Sequence, residues 1–151
     1  MRRALLLPLA LLAGCGEPVA DNHFAGEAMP EAAPPATVSI DAVPVRVGET
    51  GPSFAACGAV GTTRNLAEGT VLPVSAAPFD NAAETGSIAA GSRFFICTRS
   101  HDQRWMGVVY DEGGELSEAC GVTGPVTRRR AYDGPCQSGW ISSAFVRLVA
   151  R

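Results

Sequence analysis

The stretch GSIAAGSRFFICTRSHDQRWMGVVY, residues 86–110, decides the fold. After Gly91 comes an aromatic and β-branched run: Phe94, Phe95, Ile96, Cys97 and Thr98. Residues 105–110 (WMGVVY) form a second run. Such runs favour a pleated, half-buried strand. Between them Ser100, His101, Asp102 and Gln103 supply turn chemistry. The two runs read as an antiparallel hairpin. Phe94, Ile96 and Val108 alternate toward one face, Arg93 and Phe95 toward the other. This hairpin is the expected centre of a small β barrel.

Outward from it, the other apolar segments are short and separated by Gly, Pro, Asn and Asp. Besides residues 93–98 and 105–110, the strand candidates are 55–60 (AACGAV), 70–74 (TVLPV), 140–142 and 146–149. No window carries apolar residues at helical period. Short strands at this spacing suggest a barrel or sandwich. Residues 46–151 have the length of one ordinary domain, about 100 residues.

The chain starts MRRALLLPLALLAGC. Arg2 and Arg3 precede an apolar run from Ala4 to Ala13, too short for the roughly 20 apolar residues of a spanning helix. A charged start, a short apolar core and small residues at the exit are an export signal, residues 1–14. The exit Leu12-Ala13-Gly14-Cys15 resembles the lipobox of bacterial lipoproteins, which implies that Cys15 is lipidated and holds the protein to a membrane through a lipid anchor. Gly16 follows Cys15, which points to the periplasmic face of the outer membrane. From residue 15 to 45 the chain is rich in Ala, Pro and Glu without a sustained period, a composition that favours a flexible tether. His23 lies in it.

Of five cysteines, lipidation of Cys15 leaves Cys57, Cys97, Cys120 and Cys136. Four cysteines in a short exported chain read as two disulfides, with three possible connectivities. Removing Arg2 and Arg3 with the signal leaves ten basic residues against fifteen acidic, a formal charge of −5, and every basic residue is Arg. That balance argues against nucleic acid as a partner. The absence of Lys rules out Lys-based covalent catalysis.

Four elements in order resemble the bacterial SH3-like domain. Leu72-Pro73-Val74-Ser75-Ala76-Ala77-Pro78 is similar to its first strand pattern. Ile88-Ala89-Ala90-Gly91-Ser92-Arg93-Phe94-Phe95-Ile96 is similar to the second, Trp105-Met106-Gly107-Val108 to the third, and Gly139-Trp140-Ile141-Ser142-Ser143-Ala144-Phe145-Val146 to the closing one. The likeness spans residues 66–149. Ser75 stands where the family commonly has Arg. Two additions depart from the pattern: an N-terminal strand containing Cys57, and a long insert between Val108 and Trp140. The GPCQSGW segment of that insert resembles relatives sometimes labelled "integron" proteins. The resemblance implies a mostly β, SH3-like barrel that binds peptidoglycan or peptide ligands at the cell envelope.

Cys120 and Cys136 flank the insert. A disulfide there would close a loop of about 15 residues, worth up to roughly 3 kcal/mol in the chain-entropy model. Cys57 would then pair with Cys97; Cys57 with Cys120 or Cys136 is the alternative. Metal ligation by these cysteines with His101 has poor spacing, so no metal or cofactor is expected. A Cys97–His101 nucleophile pair would need a third, orienting group, and His101 reads as a solvated turn residue. None of the usual hydrolase motifs occurs. The expected protein is not an enzyme but an envelope lipoprotein whose domain binds or scaffolds, in partnership with peptidoglycan or an acidic envelope protein. An accessory subunit of an envelope complex, or a small Cys-dependent hydrolase, are the alternatives. The expected binding surface combines the only charge run, Arg128, Arg129 and Arg130, with the aromatic residues Tyr132, Trp105 and Tyr110.

Overall fold

In the computed structural model, residues 41–149 are described. The export signal, Cys15, His23 and most of the tether lie outside the described residues.

The protein is mostly β. Among the described residues nine strands follow in order: β1 (Arg46–Val47), β2 (Ala59–Thr63), β3 (Val71–Ser75), β4 (Glu84–Ala89), β5 (Arg93–Arg99), β6 (Trp105–Tyr110), β7 (Arg130–Ala131), β8 (Gln137–Ser142) and β9 (Val146–Val149). Single 3-10 turns occupy Glu118–Cys120 and Ser143–Phe145. Seven strands form one antiparallel sheet in the order β4-β3-β8-β6-β5-β2-β9, and β1 pairs with β7 in a separate two-stranded ribbon. β5 and β6 form the expected hairpin near the middle of the sheet. Within its turn the Trp105 amide donates to Ser100 Oγ and the Arg104 amide donates to the Asp102 carboxylate. Strands β4 and β9 are the two edges. Among the described residues no strand pair joins β4 to β9, so the mostly β architecture is seen but the expected closure into a barrel is not traced by strand pairing.

Both faces of the central strands are buried, while β4 and β9 are largely exposed. The inner face gathers Leu72, Val74, Ile88, Phe94, Ile96, Met106, Val108, Tyr110, Ile141 and Val146. The outer face carries Phe95, Cys97, Val109 and Trp140 and is covered by Val45, Val47, Ala56, Cys57, Cys120 and Val122. The alternation along β5 is as expected: Phe94 and Ile96 point in, Phe95 out. From Phe94 to Cys97 it leaves no polar position because both sides of the strand meet apolar neighbours, while Arg93 and Arg99 stay exposed at the strand ends. A bulge between Ile96 and Thr98 then re-aims the end of the strand.

The outer layer is built from the two additions to the pattern. The insert, residues 111–136, lies on the N-terminal segment. The Cys57 amide donates to the Val122 carbonyl, Ala56 to Gly124 and Tyr132 to Val45. Two disulfides staple this layer, Cys57–Cys97 to the central hairpin and Cys120–Cys136 across the insert. Loop locality favoured the second pair and the first followed by elimination; both fit an oxidising, exported compartment.

Three expectations shift. The strand expected at 55–60 forms at Ala59–Thr63 instead. Cys57 precedes it, because its backbone bonds to the insert and not to the sheet. Strand β4 was not expected; in ETGSIA only Ile88 is buried, so the segment carries almost no apolar signal. At the N-terminus the packed chain starts before residue 46. Val45 is buried, and the Trp140 indole donates to the Val43 carbonyl at 2.7 Å.

Candidate functional site

The residues singled out in the sequence fall into three separate places. Trp105 and Tyr110 stand at the two ends of β6. Their spacing of five is odd, so they project from opposite faces. Trp105 packs against the outer layer, half-buried, while Tyr110 belongs to the inner core. The Tyr110 ring lies against Gly86, where a Cβ would collide with its hydroxyl. Burial raises the pKa of that hydroxyl, and the charge of Glu112 adds to the effect. Around it Thr85, Gly86, Ser87, Glu112 and Gln137 form a polar cleft of about 370 Å³.

Tyr132 is a strut inside the insert. Its hydroxyl donates to the Cys120 carbonyl at 3.0 Å and accepts from the Cys136 amide at 3.1 Å. Burial raises its pKa, and the Cys136 hydrogen bond works against that rise. This side chain is occupied in holding the insert together.

The arginines of the run lie on or just before β7 of the β1–β7 ribbon, Arg46 lies on β1, and all are exposed. Glu49 bridges two of them: Arg46 Nε is 3.7 Å from one carboxylate oxygen and Arg129 Nη1 is 3.3 Å from the other. Arg130 pairs with Asp133. Arg128 has no acidic partner among the described residues.

Trp105 lines a cleft of about 230 Å³ with Asp80, Arg104, Ser142, Ser143 and Ala144. Three loops build it: the β3–β4 connection brings Asp80, the β5–β6 turn Arg104, and the 3-10 turn after β8 the serines and Ala144. The Ser143 amide donates to the Arg104 carbonyl at 2.8 Å, which ties two of these loops together. Arg104 and Asp80 pair at 3.6 Å across the rim, both well exposed. In the adjoining turn the Asp102 carboxyl is held below its ordinary pKa, first by the Ser100 hydroxyl and then by the Arg104 amide. The turn thus keeps its shape around a fixed charge. An aromatic face beside hydroxyls and a solvated ion pair can bind a ring or an aliphatic stem while hydrogen-bonding its polar edges.

The Cys97–His101 nucleophile pair does not form. Cys97 is committed to its disulfide, and His101 is an exposed turn residue. Among the described residues no three His, Cys, Asp or Glu side chains gather to hold a metal. Asp80, Arg104, Ser142, Ser143 and Ala144 were not singled out in the sequence, and neither was Glu49. Ser142, Ser143 and Ala144 belong to the closing SH3-like element but carry no site signal there, Asp80, Arg104 and Glu49 lie in no motif, and only the fold brings these residues together. Comparison with protein-family models, with curated proteins and with solved structures finds no match for the chain.

Proposed function

We propose that the chain is an exported lipoprotein of the cell envelope whose folded part is a non-catalytic, SH3-like binding or scaffolding module. The order of the elements, the central hairpin and the inner core on one face of the sheet support the SH3-like reading, with the outer layer as an elaboration of it. The two disulfides and the lipobox-like exit at Cys15 support export and anchoring.

The observation that carries the binding role is the Trp105 cleft: a half-buried indole framed by three loops at one end of the sheet. Its chemistry suits peptidoglycan, whose sugars offer ring faces and whose stem peptides offer amides and carboxylates. A peptide loop of an envelope protein is the other candidate for the same cleft. The test is a sacculus pull-down with protein lacking the lipid, read alongside Trp fluorescence. Trp105→Ala should reduce retention on sacculi at least about tenfold, within the range for removing a central aromatic anchor. Retention that is the same in both proteins would remove the cleft from the function.

A further inference from the structure

We propose that the arginine ribbon is a membrane-facing surface that docks on anionic lipid headgroups. The inference rests on the export-and-anchor half of the reading above and is independent of the Trp105 cleft.

The charges of the chain are segregated. Glu17, Asp21, Glu27, Glu31 and Asp41 all precede Arg46, and no Arg or Lys lies between Cys15 and Arg46. From Arg46 onward ten arginines stand against ten acidic residues, so the folded part is neutral in sum. Four of those ten arginines sit on or beside one two-stranded ribbon: Arg46 on β1, and Arg128, Arg129 and Arg130 on or just before β7. Glu49 and Asp133 are the acids paired with them, which leaves a local excess of two positive charges. Charges farther away than about 8–10 Å are largely screened at physiological salt, so the ribbon presents its own sign.

The second observation is where the chain enters the fold. Val43 and Val45 lead directly into β1, and the Tyr132 amide bonds to the Val45 carbonyl. The described chain therefore enters the fold beside the ribbon, the side from which any anchor at Cys15 would be attached. A cationic patch adds attraction to anionic headgroups to whatever a lipid anchor supplies.

The third observation is shape and rigidity. None of the clefts described above is lined by Arg128, Arg129 or Arg130. Glu49 borders a neighbouring cleft of about 360 Å³ with Thr50, Gly58 and Arg99, but the ribbon arginines do not line it, and guanidinium groups spread over an exposed ribbon fit a planar array of phosphates. Guanidinium groups match phosphate oxygens two at a time. The Cys120–Cys136 disulfide and the Tyr132 hydroxyl already fix the insert, so little ordering is left to oppose docking.

The experiment uses the chain from residue 16 onward, which lacks the signal and the lipid but keeps every described residue. Co-sedimentation is measured with vesicles of phosphatidylethanolamine and phosphatidylglycerol, and with neutral phosphatidylcholine vesicles. Binding should require phosphatidylglycerol and fall as salt rises. Arg128→Ser should weaken it about fivefold, the effect of one basic residue near an anionic surface. Replacing Arg128, Arg129 and Arg130 together with Ser should weaken it further. Glu49→Gln releases Arg46 and Arg129 from their shared acid and should strengthen binding, which mere loss of folding cannot do. Equal binding to neutral vesicles, no response to Glu49→Gln, or Arg-dependent retention on sacculi without retention on vesicles would overturn the proposal. Lipid attachment at Cys15 is measured separately in membrane fractions, so either reading can fail without the other.

Discussion

Replacing Tyr132 with Phe isolates the hydroxyl that ties the neck of the insert. That hydroxyl touches the same two residues that the second disulfide joins, Cys120 through its carbonyl and Cys136 through its amide. Phe keeps the ring packing and removes only the two bonds. Stranding partly buried polar groups costs about 1–3 kcal/mol. The side chain is half-buried, so water recovers part of the loss, and about 1–2 kcal/mol should remain. For a domain of about 110 residues this is roughly 4–8 °C in Tm by calorimetry. The denaturant slope should not change, because the exposed area on unfolding is the same. A second readout is pH. Burial raises the folded pKa of Tyr132, whereas in the unfolded chain it ionises near pH 10. The stability linked to this proton is complete below about pH 10 and is lost as pH rises through the folded pKa. The Phe variant lacks that titration, so the stability gap between the two proteins should narrow above pH 10. Tyr110 also titrates late, but it does so in both proteins and cancels. A Tm within about 1 °C of the parent would mean that water replaces the hydroxyl freely, and that the insert owes its shape to the disulfide alone.

Cys15→Ala should release the protein from membranes or leave an unprocessed precursor; a variant that still fractionates as the mature, detergent-soluble form refutes lipidation. The disulfides span 40 and 16 residues, so the chain-entropy model gives about 4 and 3 kcal/mol respectively. Replacing Cys57 and Cys97 by Ser should therefore cost more in chemical denaturation than replacing Cys120 and Cys136, and the reverse order would refute the loop-length account. Gly107→Ala would place a Cβ 2.5 Å from Thr98 Cγ2 and 3.4 Å from Trp140 Cζ3. Overpacking of this kind should cost about 1–3 kcal/mol in the same assay, and an unchanged midpoint would show that the bulge yields.

How much of this was legible in the sequence depends on whether the signal was local. The β5–β6 hairpin was legible because strands and turn are contiguous. The disulfide across the insert was legible for the same reason. Strand β4 was not, since an edge strand that buries only Ile88 has no apolar pattern to read. The strand near Cys57 was placed about four residues early. Residues 55–60 and Ala59–Thr63 are both small and partly buried, yet only the latter bonds to the sheet. Composition reports burial; it does not report which backbone a segment pairs with. The same limit explains the site. The arginine run was visible as charge, but Glu49, which bridges Arg46 and Arg129, lies 80 residues before Arg129.

The grouping of Trp105 with Tyr110 fails for a reason that needs no tertiary information. Both are on one strand, five positions apart, and strand period two sends them to opposite faces. One then meets the outer layer and the other the inner core. Any ligand groove that used both rings would have to pass through the sheet. Strand parity therefore divides the aromatic set before folding is considered. Trp105 stays with the loops that follow β3, β5 and β8, and Tyr110 becomes a plug for the inner core. The cleft at Trp105 and the ribbon at Arg128 are accordingly two surfaces with different chemistry, one aromatic and one cationic. A single substitution that abolished both sacculus and vesicle binding without unfolding the domain would contradict that division.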